Sequence, residues 1–134
     1  MTAGTGELTP AQLGEQAAEA VRALNHLTGP GVGGLTEPAE VCELIAELAC
    51  VAGRLPQLLG QLSGWLHSEE RAGRLRVDAC SLQPDPAAAV AAAIDCLTRA
   101  SDCAHDAGRA LDAAQQTLTH LAGTEAASDE QDWS

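Results

Sequence analysis

Polar and apolar positions alternate at the three- and four-residue spacing of amphipathic helices in three stretches of this chain. In the first, Leu13, Ala17, Ala20, Leu24 and Leu27 fall on one face. The preceding Leu8-Thr9-Pro10-Ala11-Gln12-Leu13 carries a full start signal. Thr9 is the N-cap, Pro10 the first helical residue, Gln12 closes a capping box, and Leu8 can staple onto Leu13. Gly29-Pro30 stops this helix, predicted over 10–28, and the glycine-rich segment to Leu35 is a loop.

Thr36 is expected to cap the second helix, over about 37–72, with Glu37 and Glu40 in a first turn where the dipole favours acid. Its stripe is Val41, Ile45, Leu48, Ala52, Leu55, Leu59, Leu62 and Leu66. Pro56 falls inside and removes one backbone hydrogen bond. The stripe keeps its phase across it, so a kink near Pro56 is predicted and not a break. Gly73 is the expected stop, and Leu75 and Val77 in the irregular segment that follows are candidates to tuck against the helices.

Asp85-Pro86 starts the third helix, predicted over 86–122 with Gly123 as its stop. Val90, Leu97, Ala104, Leu111 and Leu118 recur every seven residues. Three positions after each come Ala93, Ala100, Ala107, Ala114 and Leu121, an Ala-lined seam that admits a close neighbour. Asp95, Arg99, Asp102, Asp106 and Arg109 mark a solvated face with intrahelical ion pairs.

These elements predict an all-α protein: an antiparallel hairpin of two long helices plus a shorter N-terminal helix, as a three- or four-segment bundle. One domain is expected over 9–122, with residues 1–8 and an acidic tail, 123–134, disordered. Each long helix would reach about 54 Å and the first about half that, placing it beside Glu37 to Leu55 and the C-terminal half of the third. The distal half is then uncovered. Either the second helix folds over at Pro56, or another chain covers Leu59, Leu62, Trp65, Leu66, Val90, Ile94 and Leu97, the expected interaction surface.

Composition narrows the means of packing. Ala (27) and Leu (18) dominate, and Leu, Ile, Val and Phe together number only 26, close to the range where acidic chains stay disordered. Order must therefore come from closely packed Ala- and Leu-rich helices, since β-branched and aromatic residues are too few for a sandwich or barrel. With 19 acidic residues against seven Arg and no Lys, the net charge of -12 repels phosphate backbones and anionic membranes. A protein partner or a second copy is expected, and neither nucleic acid nor membrane. No signal sequence or spanning segment is visible, so the cytoplasm is the expected location, where five cysteines without a CxxC pair read as reduced thiols.

No motif identifies a reaction. Cys103-x-His105 cannot place both side chains on one helical face, and Asp102-x-x-His105 lies on the charged side. Gly60-Gln-Leu-Ser63-Gly64 has the wrong spacing for a nucleophile elbow, and Gly31-Val32-Gly33-Gly34 follows a helix where a phosphate loop would follow a strand. The chain is expected not to be an enzyme, with no catalytic residue, metal ligand, cofactor or obvious small-molecule substrate. The alternative is a small-molecule- or metal-binding regulator using Cys and His within the bundle. Arg71, Arg74 and Arg76 form the one basic cluster, suited to a helix C-terminus. They are also secondary docking candidates for an acidic partner or for the chain's own Asp129 to Asp132. Trp65 is an expected anchor, and Trp133 a candidate recognition element in the tail.

Arg without Lys, together with abundant Ala, Gly, Leu and Asp, resembles the composition of high-GC actinobacterial proteins. Leu8-Thr-Pro-Ala-Gln-Leu-Gly-Glu-Gln-Ala-Ala-Glu-Ala-Val-Arg-Ala-Leu-Asn-His26, with Ala52-Gly-Arg-Leu-Pro-Gln-Leu-Leu59, resembles small uncharacterised helical proteins of that group. Some of these look associated with plasmids or integrated elements. The resemblance covers the first half, implies an accessory protein and transfers no functional residue.

Overall fold

The computed structural model describes Gly6–Cys80 and Asp85–Asp132, with side chains as far as Leu121. The expectations for residues 1–5, for Trp133 and for the side chains of Asp129 to Asp132 lie outside this set. The described residues form three helices and no strand: α1 (Pro10–Leu27), α2 (Pro38–Arg71) and α3 (Pro86–Asp132). The fold is all-α. The chain forms two compact units, Met1–Val41 and Cys42–Ser134, with the division inside the first turn of α2.

In the first unit, local chemistry sets both ends of α1. The Gln12 amide donates to Thr9 Oγ1 at 3.1 Å and the Thr9 amide to Gln12 Oε1 at 2.9 Å, the reciprocal capping box predicted. At the other end the Thr28 amide and hydroxyl both donate to the Leu24 carbonyl, at 2.9 and 2.7 Å. The loop then folds back so tightly that a Cβ on Gly34 would lie 2.1 Å from the Leu27 carbonyl oxygen, so only glycine fits there. The stripe predicted on α1 is not a core. No α1 residue is buried, and of the stripe only Leu24 is half-buried.

α2 starts later than predicted. Pro38 takes the first helical position, for which its ring is preorganised, and the Glu37 carbonyl accepts from the Glu40 amide at 3.1 Å. Thr36 lies outside the helix, and its hydroxyl bonds the Glu40 carboxylate instead. α2 then runs unbroken through Pro56. A proline inside a helix costs about 3 kcal/mol, an expense that packing along the helix offsets, so the folded-over four-segment alternative is not adopted.

The stop at Gly73 is as predicted. With φ at +73° Gly73 turns the chain left-handed; its amide donates to the Glu70 carbonyl at 3.0 Å and that of Arg74 to Glu69 at 3.1 Å. This is a Schellman motif, and the apolar contact that usually spans it is here an ion pair. Arg74 Nε and Nη2 meet the two Glu69 carboxylate oxygens at 2.7 and 3.1 Å. Leu75 and Val77 beyond it are half-buried. Asp85 caps α3, its carboxylate accepting from the Ala88 amide at 2.7 Å. Gly123 does not end α3: the backbone stays helical to Asp132. One glycine costs about 1 kcal/mol in a helix interior, and Ala, Glu and Gln around it favour the helix.

Within the second unit α2 and α3 pack as an antiparallel hairpin. Cys42 Sγ lies 4.0 Å from both the Gln115 carbonyl and Thr119 Oγ1. Ala52 faces Gly108, and Leu62 to Leu66 face Ala93 to Leu97, so position falls along α3 as it rises along α2. Ala52, Val90, Ala104 and Gly108 are buried. The core is built from small side chains because the backbones come close. A Cβ on Gly108 would stand 3.6 Å from Ala52 Cβ and 3.8 Å from the Gly53 nitrogen.

The seven-residue series Val90, Leu97, Ala104, Leu111 and Leu118 lies on this seam, buried or half-buried throughout. Ile94, Ser101, Gly108 and Gln115, four residues on, are also buried or half-buried; of the predicted companion set Ala93 and Ala114 are half-buried, and Ala100, Ala107 and Leu121 are exposed. On α2 every position of the predicted stripe but Leu62 is buried or half-buried, and the seam also takes in Cys42, Ala49, Pro56, Ser63 and Glu70, each half-buried. The predicted ion pairs among Asp95, Arg99, Asp102, Asp106 and Arg109 do not form; the pairs among the described residues are Glu19–Arg22 and Glu69–Arg74. Arg99 instead donates to Cys96 Sγ at 3.2 Å.

Candidate functional site

Beside the seam, which itself uses Ile45, Leu59 and Leu66, α2 carries a second row of large apolar residues. Leu44, Leu48, Val51, Leu55, Leu58, Leu62 and Trp65 follow one another at four, three, four, three, four and three. That is an unbroken heptad row, roughly a third of a turn from the seam. Its middle and far end are open: Val51 is 57 % exposed, Leu58 49 %, Leu62 47 % and Trp65 59 %. On α3 the matching flank carries Ala93, Cys96, Ala100, Cys103, Ala107 and Ala110, nearly all exposed and all small.

The two flanks bound one groove. At its distal end Leu62, Trp65 and Leu66 from α2 and Ala93, Cys96 and Leu97 from α3 line an open cleft of about 560 Å³ with apolar walls. The small α3 side chains make the floor accessible and the large α2 side chains form the wall. On the other side of the seam α2 presents Cys50, Gly53, Gln57 and Gly60, and α3 presents Thr98, Asp102, His105 and Arg109, all exposed. The hairpin therefore has one apolar flank and one polar flank.

Of the residues predicted for an interaction surface, Leu62, Trp65, Leu66 and Leu97 line the cleft. Leu59 and Ile94 are half-buried along the seam, and Val90, 7 % exposed, belongs to the hairpin core and is unavailable to a partner. Ala93 and Cys96 were not foreseen as lining, nor Val51 and Leu58 as exposed. The signal for the latter was present in the 4-3 spacing from Leu44 to Trp65, hidden because a second stripe of the same period overlaps it.

The basic cluster divides. Arg74 is engaged by Glu69, and this bond is the main cause that holds the Glu69 carboxyl below, and the Arg74 guanidinium above, their ordinary pKa values. Arg71 and Arg76 are exposed. All five cysteines are free thiols. Among the described residues no three His, Cys, Asp or Glu side chains converge as a metal site, and no helix is long and apolar enough to cross a membrane.

Fold and site together define an all-α protein whose α2–α3 hairpin carries an open apolar cleft at its distal end. No family model, no curated protein and no solved structure matches this chain.

Proposed function

We propose that this chain is a non-enzymatic interaction protein that docks a helix along the α2–α3 groove around Trp65, through self-association or a protein partner. The observation that carries this is the exposure of Val51, Leu58, Leu62 and Trp65, four large apolar residues at helical spacing along one side of α2. Leaving such a row in water forgoes about 25 cal/mol for each Å² of apolar surface. A groove with large residues on one wall and small ones on the other suits the ridges of an incoming helix.

A small-molecule pocket is supported less well, because such pockets combine apolar walls with a few convergent polar groups and this cleft has apolar walls alone. The net charge of -12 favours a protein over nucleic acid or an anionic membrane. Five free thiols fit a reducing cytoplasm.

The test is a photo-crosslinking amino acid placed at Leu62 in the native host, with the same group at Gln57 on the polar flank as control. Covalent protein adducts specific to position 62 are expected. Equal labelling from both positions would refute the docking reading.

A further inference from the structure

We draw no further inference here: the strongest candidate, the open apolar cleft lined by Leu62, Trp65, Leu66, Ala93, Cys96 and Leu97 at the distal end of the α2–α3 hairpin, belongs to the site already described, and nothing in the structure shows what covers it.

Discussion

Gly108→Ala is predicted to stabilise the hairpin, against the expectation that a buried glycine at a helix crossing is indispensable. A Cβ built on Gly108 meets Ala52 Cβ at 3.6 Å, the Gly53 nitrogen at 3.8 Å and the Ala49 carbonyl oxygen at 3.9 Å. These are ordinary van der Waals separations, so the methyl fills a gap without pushing α2 away. Replacing glycine by alanine inside a helix gains about 0.8–1.0 kcal/mol, partly by reducing the freedom of the unfolded chain. Burying one further methyl adds up to about 0.8 kcal/mol. The neighbours must adjust slightly, so a net gain of about 1 to 1.5 kcal/mol is expected, or a rise of about 2–6 °C in Tm. Urea and thermal unfolding followed by circular dichroism, at concentrations too dilute for association, measure it. Gly14→Ala, with nothing within 4 Å of its Cβ, serves as the control that gains propensity without hairpin packing. Gly108→Leu should lose about 1–3 kcal/mol by overpacking against Ala52 and the Gly53 backbone. A destabilised Gly108→Ala would mean that the helices cross more tightly, or in another register, than described, and would refute the reasoning.

Other consequences test separate parts of the structure. Val90→Ala, at a position 7 % exposed, should cost about 2 kcal/mol, whereas Trp65→Ala, 59 % exposed, should cost less, about 1 kcal/mol; denaturant midpoints separate them. Thr9→Ala should cost α1 about 1 kcal/mol and speed hydrogen exchange at the Gln12 amide, whose acceptor is the Thr9 hydroxyl. The Glu69–Arg74 bond should be lost in acid. Glu69 is held below its ordinary range in the folded chain, so its contribution is present above that range and disappears as pH falls through the depressed folded value. Amide signals of Gly73 and Arg74 should report fraying of the end of α2 in that window, and Glu69→Gln should remove the dependence.

Much of the architecture was legible because helix ends are written in local chemistry. Thr9 with Gln12, Asp85 with Pro86, and Gly73 each act through neighbours three to five residues away, which a linear reading contains. Pro38 belongs to the same class, two residues after Thr36, the expected cap. The all-α class follows from the same source, since so few β-branched and aromatic residues leave no material for a sheet.

Which face of each helix meets the other was not local. On α3 the seven-residue series is legible, and the regular alanines three residues after its members, Ala93, Ala100, Ala107 and Ala114, point to one companion set. Which residues accompany the series depends on what α2 presents at the same level: Gly108 lies where Ala52 and the Gly53 backbone come close, and Ile94, Ser101 and Gln115 share that face. On α2 two heptad rows overlap, and the stripe read from sequence ran midway between them, mixing Leu59 and Leu66 of the seam with Leu62 of the open face. The amino-acid sequence alone determined the helices, their ends and their surplus of apolar positions. Only the tertiary structure decided that Val51, Leu58, Leu62 and Trp65 stay open to solvent, because α3 meets α2 along the neighbouring face from Cys42 through Ala52 to Leu66, where Ala52, Ala104 and Gly108 let the backbones approach.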